Sequence, residues 1–257
     1  MPASIAWHGA MAAGMALTPH WWPIWLGGTV ANHAALCAAS MLPRSHLLGP
    51  NITRLPADAR RQHQLCLTFD DGPDPDMTPK VLDLLHTHDA TASFFCIGTQ
   101  IQKHGGLVHD IINAGHSVEN HTQTHHHRFA FRGAGGLHQE IKQAQEQITA
   151  LDVPAPRFFR APAGMRNPFL QTVLARQNLR LTSWTRRGFD TVEKQPNKVL
   201  QRLTRNLSAG DILLLHDGHG AKTADSRAVI LDVLPELLKQ IKSAGLRSVS
   251  LPMAFAQ

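Results

Sequence analysis

The sequence predicts an α/β fold built on a parallel sheet. From residue 65 onward, short apolar runs alternate with longer amphipathic stretches at helical spacing. The informative polar residues all fall where an apolar run ends. A third observation sets the start of the chain apart: residues 1–43 contain no Asp, Glu, Lys or Arg. With 257 residues, 43% of them hydrophobic, the chain can build one domain with a full core and a modest appendage.

The elements follow in order. Residues 65–69 read as a buried strand, and 78–88 as a helix with Thr78 at its N-cap and Pro79 in its first turn. Residues 92–97 give a second strand, 101–114 a helix stopped by Gly115, and Ser117–Asn120 a third strand. A helix over 136–151 precedes a fourth strand at 157–160, and a helix over 168–177 a fifth strand at 179–184. A helix over 196–207 closes before Gly210. The Ile and Leu run at 211–215 is a sixth strand, buried on both faces. A long helix over 226–244 ends at Gly245, and 246–251 is the seventh strand. Strands separated by helices imply right-handed βα units, satisfied by either a barrel or an open doubly wound sheet.

The organisation predicted is therefore an apolar helical segment or hairpin at 1–43, a linker at 44–64 and a catalytic domain at 65–257. Two apolar stretches, 4–17 and 21–42, are split by Thr18, Pro19 and His20. The second has the length of a membrane span, and Trp21, Trp22 and Trp25 sit at the break like an interfacial belt. Membrane association through residues 3–42, at a bacterial inner membrane, is the expectation. Asn32 and His33 would face the partner helix. Arg44, Arg54, Arg60 and Arg61 follow the apolar region and nothing positive precedes it, which leans the domain toward the cytoplasmic side. The same lack of an early positive charge argues against a cleavable signal peptide.

The formal charge of +6 suits anionic partners, but the basic residues are scattered with few aromatics between them, and no nucleic-acid partner is expected. Three cysteines, Cys37, Cys66 and Cys96, without a CxxC, make neither a disulfide framework nor a thiolate metal site. Seventeen histidines mean that each needs context before it is read as a ligand.

In βα folds chemistry sits where strands end. Strand one ends in Asp70 and Asp71, whose adjacent carboxylates need a positive partner: a metal for one, an arginine for the other. Strand three ends in His121, and His125 follows at a spacing that puts two imidazoles on one face of a helical turn. One carboxylate with two imidazoles makes a metal set with open positions, as catalytic sites have. Strand four ends in Arg160, suited to hold a carboxylate bidentately, and Gly164, where amide N–H groups could face an oxyanion. His216 ends strand six in a position for acid–base work, Asp190 could orient it, and Asp217 reads as structural.

These residues, in this order, resemble the polysaccharide deacetylases of the NodB-homology type, carbohydrate esterase family four. Thr68-Phe69-Asp70-Asp71-Gly72 matches the first family motif and His121-Thr122-Gln123-Thr124-His125 the second. Arg160-Ala161-Pro162-Ala163-Gly164 matches the third and Leu213-Leu214-Leu215-His216 the fifth, so the likeness spans residues 65–251. The resemblance implies an incomplete, distorted (β/α)7 barrel and a hydrolase removing N-acetyl groups from an amino sugar or glycan. Asp71, His121 and His125 would hold a divalent metal, most often Zn, with Co, Ni or Mn as substitutes. Asp70 would be the base for the attacking water, steadied by Arg160. His216, tuned by Asp190, would protonate the leaving amine. The Ala163 N–H would face the oxyanion, and Trp184 and Leu214 would wall the acetyl methyl. The fourth motif departs: the family has Trp-x-x-Asp-x-x-Asp-Trp, whereas Arg187 stands for the first Asp and Thr191 for the second Trp of the segment that starts at Trp184. The loss of a sugar-stacking ring argues against a long polymer, and the apolar N-terminus toward a lipid-linked or small acetylated sugar. Rival readings are an O-acetyl sugar esterase, a cyclic-amide hydrolase on the same fold, and a catalytically silent carbohydrate-binding protein at a membrane.

Overall fold

The computed structural model describes residues 2–256. The apolar start forms two helices, α1 (Pro2–Leu17) and α2 (Trp22–Ser40), broken by a 3-10 turn at Pro19–Trp21 where proline supplies no N–H. They pack on each other: Trp7 donates to the Gly28 carbonyl at 3.0 Å, and Asn32 to the Ser4 hydroxyl at 2.9 Å. Asn32 thus faces the partner helix, and the His33 ring meets the His8 ring edge-on at 4.9 Å.

The expected membrane localisation is corrected here. Among the described residues, no helix is long and apolar enough to cross a membrane. The break at Pro19 leaves α1 with 16 residues, a length of roughly 24 Å at 1.5 Å per residue, short of a hydrocarbon core. In the 19 residues of α2, apolar character is diluted by Gly27, Gly28, Thr29, Asn32, His33 and a run of alanines. The orientation argument from the flanking arginines loses its premise with the span.

Beyond the hairpin, α3 (Ala57–Arg61) leads into β1 (Gln64–Asp70), α4 (Thr78–Thr87), β2 (Ala92–Cys96), α5 (Gly98–Lys103), α6 (Gly105–Asn113) and β3 (Ser117–Asn120). Then come α7 (Ala134–Thr149), β4 (Phe158–Phe159), α8 (Leu170–Arg176), β5 (Arg180–Leu181), β6 (Arg186–Arg187), α9 (Pro196–Thr204) and β7 (Ile212–His216). α10 (Val229–Ser243), β8 (Arg247–Ser248) and α11 (Leu251–Ala254) complete the chain. The sheet runs β5-β4-β3-β2-β1-β7-β6 with β8 against the start of β1, and every pairing is parallel. It curls as a half-barrel, the incomplete barrel that the sequence implied. β1, β2 and β7 are buried throughout, and α4, α6 and α10 cover them with Val81, Leu85, Val108, Ile111, Val233 and Leu237.

Three elements differ from expectation, the first being the strand expected over 246–251, which is Arg247–Ser248 alone before α11 begins at Leu251. The helix expected over 101–114 is two helices, interrupted at His104 ahead of the Gly105-Gly106 pair. The strand expected over 179–184 stops early, because residues 182–185 cross the gap between the sheet's two edges. Thr182 N–H donates to Phe159 O, Ser183 N–H to Ile52 O, and Thr185 N–H to Ile212 O, after which Arg186 and Arg187 form an additional strand on β7. The end of the 1–43 segment and residues read as linker take part: Pro43 O accepts from Asn51 Nδ2 at 2.8 Å and from Ser183 Oγ at 2.6 Å, and Arg44 donates to Thr185 O at 3.0 Å.

Glu119 joins β3 to β4 where the ladder is short. Its Oε2 accepts the N–H groups of Arg157 at 3.0 Å and Phe158 at 2.9 Å, and burial pushes its carboxyl up to about 7 against the pull of those two donors. Glu119→Ala strands both N–H groups and is expected to cost about 2–4 kcal/mol in urea unfolding. Glu119→Gln, which keeps an acceptor there, is expected to cost less than half as much.

Candidate active site

Asp71 leaves β1 with φ of 75° and its carboxylate turned into the sheet's carboxyl end. His121 follows β3, its N–H held by Cys96 O. His121 Nε2 lies 3.4 Å and His125 Nε2 3.3 Å from the same oxygen, Asp71 Oδ1. That oxygen is buried and accepts no hydrogen bond, and one ligand atom from each of the three residues falls within 4.8 Å of the others. His121 Nδ1 sits 2.8 Å from Arg160 O. A carbonyl only accepts, so Nδ1 carries the proton and Nε2 presents a lone pair. An orphaned carboxylate oxygen beside imidazole lone pairs fits a divalent cation. Burial would raise the Asp71 carboxyl, but the imidazoles of His121, His219 and His125 that face it hold it below the usual carboxylate range. Burial, reinforced by the neighbouring His121, pushes His125 down to about 4, a neutral imidazole at neutral pH.

The two imidazoles converge without the expected helical turn. The segment is a loop with Thr122 (φ 67°) and His125 (φ 49°) in the left-handed region. Side chains build it: Asn120 Oδ1 accepts the Thr122 N–H, Thr122 Oγ1 accepts the His125 N–H, and Glu140 on α7 accepts from the N–H and hydroxyl of Thr124.

Asp70 is the register partner of His216 across β1 and β7. Its Oδ1 takes a 2.6 Å bond from Arg160 Nη1, and its Oδ2 lies 3.8 Å from His121 Nε2. Arg160 holds Asp70 through one nitrogen rather than the expected bidentate pair. Its remaining donors go to Thr68 Oγ1, Thr182 O and Ser183 O. His216 Nδ1 donates to Asp190 Oδ1 at 2.9 Å, and its backbone N–H donates to Asp190 Oδ2 at 2.8 Å. Burial lowers the His216 pKa, but the charge and hydrogen bond of Asp190 and the charges of Asp70 and Asp71 carry it up to about 9.

These groups share a cavity of about 570 Å³, the size of a small-ligand site, which Ala163, Trp184, Leu214 and Thr191 also line. Ala163 (φ 53°) and Gly164 (φ 73°) are both left-handed, and a Cβ on Gly164 would meet Pro43 and the Trp184 ring at 2.6 Å. Every site residue expected from the sequence is therefore on this cavity or bonded to a residue that is.

Sequence reasoning missed three features. His219, with Nδ1 3.3 Å from Asp71 Oδ2, and Arg187 both line the cavity. The Gly218-His219-Gly220 run after His216 was the available signal for the first. Thr78 is not a cap: its hydroxyl donates to the buried Asp217 at 2.6 Å, and Asp217 packs where a Cβ on Gly72 would lie. The structural role read for Asp217 agrees with this.

Residues 57–182 match the polysaccharide deacetylase family model. Over 179 residues the chain is 35% identical to a peptidoglycan-N-acetylglucosamine deacetylase of Bacillus cereus, covering 68% of this chain and 82% of that relative. Over 202 residues it is 31% identical to a chitooligosaccharide deacetylase of Bradyrhizobium sp., covering 76% and 92% respectively. The crystal structure of a peptidoglycan N-acetylglucosamine deacetylase, solved with a substituted N-oxidanyl-benzamide, superposes with a TM-score of 0.71 at 27% identity, covering 80% of this chain and 93% of that one. The chain belongs to the polysaccharide deacetylase family.

Proposed function

We propose that this protein hydrolyses the acetamide of an N-acetylated amino sugar, releasing acetate and a free amine, with residues 65–257 as the catalytic unit. The observation that supports it most is the single cavity holding a carboxylate–imidazole cation set, an arginine-anchored carboxylate and a charged histidine side by side. Asp71, His121 and His125 would hold a divalent cation, zinc in this reading, which suits one carboxylate and two neutral imidazoles. When bound, it would supply Lewis-acid polarisation of the acetyl carbonyl and a lowered water pKa.

The chain's own groups do the rest. Arg160 fixes Asp70 with Oδ1 occupied and Oδ2 on the His121 side, where it accepts the proton of the attacking water. The backbone N–H of Ala163, a residue on the cavity wall, is the donor assigned to the developing oxyanion. Trp184 and Leu214 wall the acetyl methyl. His216 spends Nδ1 on Asp190, which leaves Nε2 as the atom that gives a proton to the departing nitrogen. An amide needs that proton because an amide anion is too poor a leaving group to depart alone. Thr191, in place of a second tryptophan, leaves Trp184 as the cavity wall's indole and removes a second stacking ring, which favours a short acetylated glycan over a long polymer.

The primary test is acetate release from N-acetylated chito-oligosaccharides and peptidoglycan fragments, with the product checked for a free amine. Activity is expected to vanish with chelator and return with zinc. A free hydroxyl product instead would assign an O-acetyl esterase. Asp70→Asn and His216→Ala are each expected to lower kcat about a hundredfold or more. Near-normal turnover in both would sink the mechanism.

The pH profile has a definite sign. His216 acts protonated, its pKa is raised to about 9, and a cation in the site lowers that value. The rate is therefore expected to fall as pH rises toward 9. Asp190→Asn removes the largest raising influence, so its alkaline limb should move to lower pH. An unmoved limb would show that another group controls it.

Cation binding is testable apart from turnover. A Cβ on Gly218 would lie 2.6 Å from the Asp71 carbonyl oxygen, whereas one on Gly220 meets nothing within 4 Å. On chelator-stripped protein, calorimetry should show zinc binding about tenfold or more weaker for Gly218→Ala, the scale of outer-shell disruption. Gly220→Ala should bind as the wild type does.

A further inference from the structure

We infer that the sugar whose acetamide is cleaved carries an oxyanion, a carboxylate or a phosphate, and that Arg187 receives it. The inference rests on the deacetylase reading above and names its substrate class.

Arg187 lies on β6, and its Cα partner is Leu214 of β7, two residues before His216. It lines the same cavity as Asp70, His121, Trp184 and His216. The arginines around it are spent on acids: Arg160 on Asp70 at 2.6 Å, Arg186 and Arg54 on Asp211 at 2.6 Å each, Arg202 on Glu193 at 3.1 Å. Among the described residues, Arg187 has no carboxylate within ion-pair distance, and its Nε is buried without an acceptor. What holds it is aromatic: the guanidinium lies 4.9 Å from the Phe189 ring centroid and 5.5 Å from that of Trp184. Stacking uses the faces of the guanidinium and leaves its edge donors for an oxyanion. Holding the fork in place before binding reduces the entropy lost on forming charged hydrogen bonds.

The charge balance of the cavity points the same way. Asp70 offsets Arg160, and Asp190 offsets the protonated His216. Asp71 remains, and a divalent cation outweighs it. Arg187 adds a further positive charge where the family pattern has a carboxylate, so an acidic ligand is favoured over a neutral one. Because Arg187 stacks on Trp184 and pairs beside Leu214, the two walls assigned to the acetyl methyl, the anion it binds belongs to the acetylated sugar or to its immediate neighbour.

The experiment compares three substrates on the full-length, zinc-loaded protein: an N-acetylglucosamine disaccharide, a disaccharide containing N-acetylmuramic acid, and N-acetylglucosamine 1-phosphate. The second carries a carboxylate and the third a phosphate. One acidic sugar is expected to show kcat/KM about tenfold or more above the neutral one, expressed in KM and weakened by salt, the scale of a charged hydrogen-bonded contact. Arg187→Ala and Arg187→Glu should remove the preference, and Arg187→Lys should keep part of it. Thermal melting checks that the variants fold. Acetate released at equal efficiency from all three, or a preference that survives Arg187→Glu, overturns the inference and leaves the deacetylase reading intact. Calorimetry separates the two from the other side. No acetate from any substrate, with an acidic sugar binding about tenfold tighter than the neutral one only when Arg187 is present, sinks the deacetylase reading and upholds the acid site. No acetate and no binding preference sinks both.

Discussion

A guanidinium shut away from water must have its donors met by the protein, and each of the three side-chain nitrogens of Arg160, 1% exposed, has a partner. Its side chain reaches Asp70 and Thr68 on β1 and the carbonyls of Thr182 and Ser183 where the chain crosses the barrel gap, and its face lies 4.1 Å from the Phe95 ring. Its own carbonyl accepts a hydrogen bond from His121 Nδ1. One residue at the end of β4 thus sets the rotamer of a candidate base on β1 and the tautomer of a candidate metal ligand after β3. A buried ion pair is a weak source of stability, because desolvation consumes most of its Coulomb energy. Its value here is registry: the pair and the His121 bond form together only if β1, β3 and β4 end at the same height.

The loops above the sheet pay for that registry in backbone strain. Asp71, Thr122, His125, Ala163, Phe189 and His219 all have positive φ, and each is on the cavity or adjacent to a residue that matters there. Close approaches add to it, since Gly72 gives room to Asp217 and Gly218 to the Asp71 backbone. Such a cluster persists because β1, β2 and β7 beneath it are buried on both faces and cannot shift without opening the core.

The parts of the fold legible in the sequence are those where burial is continuous. The apolar runs in β1, β2 and β7 read as strands because parallel strands covered on both sides need apolar residues at every position. The polar residues at the ends of β1, β3, β4 and β7, namely Asp70, Asp71, His121, Arg160 and His216, announced the site because they interrupt apolar runs. β6 was hidden because its residues are Arg186 and Arg187, one salt-bridged to Asp211 and one stacked on aromatic rings, so neither gives a hydrophobic period. Thr78 looked like a cap because local spacing cannot show that Asp217, distant in sequence, competes for its hydroxyl. The N-terminal error has a similar origin: absence of charge was legible, but the effect of Pro19 and of scattered small and polar residues on a span had to be weighed along each helix separately.

The site also shows how one enclosed environment gives identical side chains opposite tasks. Burial lowers the pKa of any imidazole, and in His125 the neighbouring His121 reinforces it, leaving a value of about 4 and a lone pair free for a cation. His216 is buried more deeply, yet it reaches about 9. The difference is Asp190, whose two oxygens are both committed to His216, whereas Asp71 is shared among His121, His125 and His219. An undivided counter-charge outweighs desolvation, and a divided one does not. Asp190 therefore has to hold its place relative to β7, and it does so through the backbone N–H of His216 itself. Arg187 and Thr191, on either side of Asp190, are free of that bond, so the segment can change what the wall recognises while the proton donor stays charged.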